Sequence, residues 1–214
     1  MSEIKYGLIS DSDKKTLEAT MDLVCENFPN EIINTCEVGL YSGMTSEAIC
    51  KYIGLVRYRV FYHIGIDNGK DGEELKHFPP FNSKLIIGNS TEVYNQIEDN
   101  SQHLIFVDGC HCFSHVVSDF FCYAPKIKVG GYLAFHDTGK HIKPFKDFQH
   151  GDKENPDAYI SVRKALNRIG LWVAYENEAP EANYPHRPDR WKLIFDEADE
   201  TNEAGGVTVF KKLF

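Results

Sequence analysis

The stretch Thr35-Cys-Glu-Val-Gly-Leu-Tyr-Ser-Gly-Met-Thr45 decides how the rest of the chain is read. The largely apolar run over 31–38 has the length and composition of a buried strand, and helical spacing resumes just after Glu37-Val-Gly39-Leu-Tyr-Ser-Gly43. Small residues at this junction let the backbone turn sharply and approach a ligand. The helix that follows offers its free N–H groups and positive dipole end. Taken alone, Gly-x-x-x-Gly fits a ligand cradle and an ordinary tight strand-to-helix loop equally well, so its meaning depends on the later strand ends.

Before this junction, Leu17, Met21, Val24 and Cys25 recur at helical spacing, which predicts a helix over 12–27 within an N-terminal helical segment, 1–30, stopped by Pro29. After it, a helix over 44–53 presents Ala48, Ile49, Tyr52 and Ile53 on one face. A second apolar strand, 60–66, ends at Asp67, 28 residues past Gly39. An acid at this place is where α/β dinucleotide-type folds hold ribose hydroxyls; capping of the next turn is the competing reading. A short strand over 84–87 ends in Gly88-Asn89-Ser90, with Asn89 and Glu92 at capping-box spacing for a helix over 91–98.

A fourth strand, 103–107, delivers Asp108, and Phe113, Val116, Val117, Phe120, Phe121 and Ala124 then mark a broad apolar helix face that ends at Pro125. Gly130-Gly131 is expected to turn the chain into a fifth strand, 132–135, which ends in His136-Asp137. Residues 138–157 are polar and irregular and read as a lid loop. A helix over 158–168, a strand over 171–176, a proline-rich loop over 177–190, and strands over 191–195 and 207–212 forming an antiparallel hairpin complete the chain. Strand alternating with helix, with polar groups at successive strand C-termini, is the pattern of an open, mostly parallel sheet whose site lies along that edge. One domain over 1–214 accommodates all of it.

Composition narrows the partners. With 42% hydrophobic residues the chain can bury one sizeable core, and a formal charge of -9 with a pI near 5.5 excludes a broad nucleic-acid footprint. Small molecules are the expected partners, and a homo-oligomer is compatible with the sequence. No signal stretch precedes Ser10-Asp-Ser-Asp13, and no apolar run approaches the ~20 residues that span a bilayer, so a soluble, cytoplasmic protein without membrane contact is expected. Cys25, Cys36, Cys50, Cys110, Cys112 and Cys122 fall mostly within predicted elements, as reduced thiols do.

Chemistry concentrates after strands four and five. Adjacent parallel strands would bring Asp108 together with His136 and Asp137, and two carboxylates with an imidazole suit Mg²⁺, Mn²⁺ or Fe²⁺ with positions open for substrate oxygens. His111, one turn past Asp108, is the candidate general base. Each group also has a plain structural reading, since a strand-end acid can cap a helix and His beside Asp is often a surface pair. Cys110-His111-Cys112 with His115 lacks the Cys-x₂-Cys spacing of structural zinc sites, and zinc is set aside there. His63, His77 and His103 are read as structural.

Glu37-Val-Gly-Leu-Tyr-Ser-Gly-Met-Thr45, Asp67, Gly88-Asn-Ser90, Asp108-Gly-x-His111 and His136-Asp137, in that order, resemble the class I S-adenosylmethionine-dependent methyltransferases. More narrowly, they resemble the metal-dependent small-molecule O-methyltransferases of the sugar, macrolide and catechol types. The resemblance covers about 32–138 closely and the remainder by general layout. It implies a Rossmann-like, doubly wound α/β fold with a seven-stranded, mostly parallel sheet, helices on both faces and the C-terminal antiparallel hairpin. It further implies that Glu37 and the backbone from Gly39 to Gly43 hold the methionine moiety of S-adenosylmethionine, with Tyr41 and Ser42 lining it. Asp67 would take the ribose, Asn89 and Ser90 the adenine, and Asp108 both the methionine end and the metal. His111 matches the base of the sugar-modifying relatives, whereas His136 stands where they carry an acid. The expected reaction is in-line transfer of a methyl group to a hydroxyl of a small molecule or sugar with divalent-metal assistance. Three readings compete with it: a metal-independent methyltransferase, a non-catalytic S-adenosylmethionine-binding module, and a nicotinamide-dependent oxidoreductase, which would want Gly-x-Gly-x-x-Gly where this chain has Gly39-x-x-x-Gly43.

Overall fold

The computed structural model describes residues 9–69, 75–139, 162–171, 190–197 and 205–214. Helix α1, Asp11–Asn27, starts where the Ser10 hydroxyl accepts from the Asp13 N–H while the Asp13 carboxylate accepts from the Ser10 N–H, a reciprocal capping box, and it ends at Phe28, just before Pro29. Among the described residues, seven strands follow in one sheet: β1 Ile33–Val38, β2 Phe61–Asp67, β3 Ser83–Ile87, β4 Gln102–Val107, β5 Ile127–Phe135, β6 Trp191–Glu197 and β7 Val207–Lys212. Their order is β3-β2-β1-β4-β5-β7-β6; the first five are parallel, and β7 runs antiparallel to both β5 and β6. The expected sheet and closing hairpin are thus present.

Both faces are covered because the strands alternate. Leu104 and Phe106 of β4, with Tyr132 and Ala134 of β5, pack against Leu17, Met21 and Val24 of α1 and against Ile49 of α2, Met44–Lys51. Ile105, Val107, Leu133 and Phe135 face the other way, onto Val116, Phe120 and Tyr123 of α4, Phe113–Tyr123, and onto Val162, Ala165 and Leu166 of α5, Val162–Arg168. Phe120 is fully buried in this layer, and truncating such a ring costs about 3–5 kcal/mol.

Local departures from the sequence reading have local causes. Helix α2 continues into a π-helical turn, Tyr52–Val56, past the expected end at 53. The helix after β3 is short, α3 Ser90–Val93 followed by a 3₁₀ turn Tyr94–Gln96, and Asn89 caps it through the Thr91 N–H and hydroxyl. Gly130-Gly131 lies inside β5 rather than before it. Gln102 pairs with Ile127 and Leu104 with Tyr132, so the surplus residues of β5 form a bulge at the glycines. The strand expected over 171–176, the loop over 177–190 and the lid over 138–157 lie outside the described residues except at their edges. All six cysteines are free thiols. Among the described residues, no helix is long and apolar enough to cross a membrane.

Candidate active site

The strand order reverses between β1 and β4, and in a doubly wound sheet ligands bind in the crevice beyond the strand C-termini at that point. The glycine turn lies there. Gly39 has φ +86°, and a Cβ on it would fall 2.3 Å from the Asp108 carbonyl oxygen, so the turn rests directly on the end of β4. Gly43, φ +82°, is the N-cap of α2, and a Cβ there would meet the Phe78 backbone nitrogen at 2.7 Å. Asp67, at the end of β2, stitches the turn from the other side. Its Oδ2 accepts from the N–H groups of Leu40 at 3.0 Å and Tyr41 at 3.3 Å, and its Oδ1 accepts from Gly69 N–H at 2.7 Å. Tyr41 is half exposed with φ +50°, and the Ser42 carbonyl accepts from His77 N–H.

Glu37 is 1% exposed and sits under α2, where its carboxyl accepts from the Ser46 hydroxyl; burial pushes that carboxyl well above the ordinary carboxylate range. The contact extends inward, because Ser46 Oγ lies 2.8 Å from His63 Nε2 and His63 Nδ1 lies 2.8 Å from Thr35 Oγ1. Burial lowers His63 to about 3, so the ring is neutral. With Ser46 donating to Glu37, the consistent order is Thr35 hydroxyl to Nδ1, then Nε2–H to Ser46. His63 is structural, as read from the sequence, and it supports the floor of the glycine turn.

Asn89 is exposed and occupied in capping α3, whereas the Ser90 hydroxyl donates to Asp119 Oδ1 at 2.6 Å. Asp119, on α4, is buried, and desolvation raises it to about 7 despite the Ser90 hydrogen bond.

At the ends of β4 and β5, Asp108, His111, His136 and Asp137 converge. His136 Nδ1 lies 3.0 Å from Asp108 Oδ1 and 3.3 Å from Asp137 Oδ2, and its Nε2 lies 3.3 Å from Asp13 Oδ2. His111 Nε2 lies 2.8 Å from Asp137 Oδ2 and 3.7 Å from Asp108 Oδ1. Ligand atoms of Asp108, His111 and Asp137 all fall within 4.8 Å of one another. Burial disfavours the charged form of both rings, but the facing carboxylates outweigh it; they raise His111 to about 10 and hold His136 well above its ordinary value. Burial likewise opposes ionisation of Asp108 and Asp137, and the two imidazoles overcome it, so both carboxyls are held below the usual range. Three carboxylates facing two rings leave a negative balance, and a divalent cation replacing the ring protons fits that donor set.

Asp13 was missed by the sequence reading. Fully buried, it accepts from Ser10 and, through Oδ1, from Gly206 N–H at 2.9 Å, while facing His136. Its sequence signal, Ser10-x-x-Asp13, announces a helix cap and nothing more. Asp137 has φ +55°, and the next residue is held on three sides: Thr138 N–H donates to the Gly206 carbonyl, the Thr138 hydroxyl accepts from Thr208, and the Thr138 carbonyl accepts from Arg163 Nε at 2.6 Å. Arg163 also pairs with Asp196 of β6, so the C-terminal hairpin braces the His136-Asp137 turn.

Residues 36–138, just under half of the chain, match the family model described as a methyltransferase domain. A Sinorhizobium fredii protein named uncharacterized protein y4gI is 39% identical over 85 residues, 40% of this chain and only 9% of that protein's length. Among solved structures, the O-methyltransferase TomG from Streptomyces achromogenes, in complex with SAM, is 12% identical with a TM-score of 0.61, covering 99% of this chain and 83% of that one. An O-methyltransferase from Bacillus cereus in complex with SAH is 9% identical with a TM-score of 0.59, covering 98% and 84%. MycE methyltransferase of the mycinamycin pathway, in complex with Mg and SAH, is 15% identical with a TM-score of 0.55, covering 97% of this chain and 50% of that one. At these identities the likeness is one of fold, shared with these methyltransferases.

Proposed function

We propose, from the match of residues 36–138 to the methyltransferase-domain model, that the chain transfers the methyl group of S-adenosylmethionine to a hydroxyl of a small molecule or sugar. The observation that carries this reading is the seating of Gly39 on the Asp108 backbone, which joins the glycine turn and the Asp108, His111, His136, Asp137 cluster into one strand edge. A donor cradled by the turn would present its sulfonium methyl toward that cluster, where holding the acceptor in line supplies much of the acceleration. Asp67 would accept the ribose hydroxyls while keeping the turn in shape through Leu40 and Tyr41. Asn89 and Ser90 would border the adenine, and Tyr41 and Ser42 the methionine end. Glu37 acts from beneath, through Ser46.

Asp108, Asp137 and Nδ1 of His136 would hold the divalent ion, Mg²⁺ or Mn²⁺ with Fe²⁺ also suited. When bound, it supplies Lewis-acid polarisation of an acceptor oxygen. The contact between His136 Nε2 and Asp13 supports this ligand set, because metal-binding imidazoles ordinarily direct their second nitrogen to a carboxylate. The facing carboxylates keep the His111 ring protonated while the cluster is without a cation; with a cation bound in place of that proton, His111 Nε2 would be free to accept the acceptor's proton, and Asp137 at 2.8 Å would stabilise the imidazolium formed. A metal-independent enzyme is the second reading, favoured by one feature: His136 faces Asp108 and Asp137 together and can itself neutralise them.

Calorimetric titration of S-adenosylhomocysteine, with and without Mn²⁺ or Mg²⁺, tests the proposal on wild type and Asp67→Ala. Wild type should bind, and Asp67→Ala should bind more weakly. No binding by wild type under any condition sinks it. Full methyl transfer after chelation selects the metal-independent reading. His111→Ala should keep metal affinity and lose turnover, whereas loss of both would make His111 a ligand.

A further inference from the structure

The loop leaving β4 carries a second cluster of different chemistry. Cys110 Sγ lies 3.3 Å from His115 Nδ1, and ligand atoms of Cys110, Cys112 and His115 all fall within 4.8 Å of one another. A tetrahedral zinc ion with Zn–S near 2.3 Å and Zn–N near 2.0 Å has S-to-N edges of about 3.6 Å and S-to-S edges of about 3.8 Å. The three side chains therefore fit one coordination sphere after shifts of a few tenths of an ångström to about 1 Å, and they supply three of the four donors of a tetrahedral ion.

The backbone explains how a spacing set aside in the sequence forms such a group. Cys112 is the N-cap of α4, with extended φ and ψ, and His115 stands three residues on, so the two share one helix face. Cys110 precedes the cap by two residues in the loop, and its thiol reaches back to the His115 ring. Cys-x-Cys-x-x-His thus uses a strand-to-helix junction where structural zinc sites use a Cys-x₂-Cys turn. Cys112 is buried, while Cys110 and His115 are half-buried.

We propose that Cys110, Cys112 and His115 form a thiophilic divalent-metal site that supplies three ligands to Zn²⁺. It is separate from the carboxylate cluster and does not rest on the methyl-transfer reading. The two sites sort by ligand softness. Thiolate and imidazole select zinc-like ions, and the oxygens of Asp108 and Asp137 suit Mg²⁺ or Mn²⁺. They also interleave along one segment, because Asp108 and His111 point to the carboxylate cluster while Cys110, Cys112 and His115 form the other. An ion on the sulfur side fixes the loop backbone on either side of His111.

Titrating the reduced full chain with Co²⁺ in the absence of oxygen reads the site directly. Wild type should show a thiolate-to-cobalt charge-transfer band at one equivalent, displaced by Zn²⁺ and unaffected by excess Mg²⁺. Cys110→Ser and Cys112→Ser should each weaken Co²⁺ binding at least tenfold and remove most of the band, and His115→Gln should weaken it without abolishing it. Asp137→Asn should leave the band intact. The proposal is overturned by a wild type with no charge-transfer band, which needs no variant to fold. It is equally overturned by a band that persists in the Cys110→Ser, Cys112→Ser double variant, since that assigns it to other thiols.

Discussion

Asp13 joins three elements that the sequence separates widely, and replacing it tests the architecture of the site most directly. Its carboxylate accepts from the Ser10 N–H at 2.9 Å, the Ser10 hydroxyl at 2.8 Å and the Gly206 N–H at 2.9 Å, and it faces His136 Nε2 at 3.3 Å, all at zero exposure. Burial alone would raise its pKa, but His136 and Ser10 outweigh that and hold it below the ordinary aspartate value. Hydrogen bonds to a charged group contribute about 1.5–3 kcal/mol each, and removing one partner of a buried ion pair costs about 3–5 kcal/mol. These figures overlap, and His136 keeps Asp108 as a partner, so Asp13→Ala should cost about 4 kcal/mol. Asp13→Asn, which keeps the shape and some of the acceptors, should cost about 2–3 kcal/mol. With a urea slope of about 2 kcal/mol/M, the Asp13→Asn midpoint falls by more than about 1 M. Ser10→Ala isolates the helix cap and should cost only about 1 kcal/mol. Mn²⁺ affinity should drop about 10- to 100-fold in Asp13→Asn, the usual effect of losing the carboxylate behind a ligating imidazole. Unchanged urea midpoint and unchanged Mn²⁺ affinity in Asp13→Asn would refute the reasoning.

Three further outcomes are expected. Asp119 is raised to about 7, above its unfolded value, so the native state holds that proton more tightly; its contribution is full below about pH 4, falls as pH rises towards 7 and is flat beyond, a change of about 4 kcal/mol. Asp119→Asn should therefore become progressively more stabilising relative to wild type between pH 5 and 8, and parallel urea-midpoint curves for the two proteins would show the assignment to be wrong. Asp67→Ala removes the acceptor of three backbone N–H groups and should weaken S-adenosylhomocysteine about 10- to 100-fold by calorimetry, with undiminished affinity counting against a role in the cradle. Gly39→Ala forces a side chain to φ +86° and a Cβ to within 2.3 Å of the Asp108 carbonyl, so it should cost at least about 2 kcal/mol in thermal or urea unfolding; a neutral result would mean that the turn does not rest on β4.

The sheet was legible in the sequence because each strand carries its own evidence. Apolar runs of strand length end in Gly, Asp or His, and helical spacing lies between them, which suffices to read β1 to β5 as a mostly parallel sheet with Asp67, Asp108 and His136-Asp137 on one edge. What stayed hidden depends on pairing across the fold. The chain from Thr35 through His63 and Ser46 to Glu37 exists only because β1 lies beside β2 in the register Thr35 to His63, with α2 lowered over both. No local pattern marks His63 as the hinge of that chain. Asp119 looks like a stray charge on an apolar helix until α3 brings Ser90 to it, and Asp13 looks like a helix cap until β5 brings His136.

The two clusters after β4 differ in how far sequence alone reaches them. Asp108 and Asp137 lie together, as expected from adjacent parallel strands that align their ends, an argument that needs only strand adjacency. Cys110, Cys112 and His115 were set aside because their spacing fails the turn-based zinc pattern, an argument that needs the local backbone to be a turn. The junction of β4 with α4 is an extended residue followed by a helix, and it brings the two thiols and the ring together by another route. Spacing rules carry an assumed backbone with them, so at a strand-to-helix junction, where neither helix nor strand periodicity governs, a failed match excludes only the geometry from which the rule was drawn.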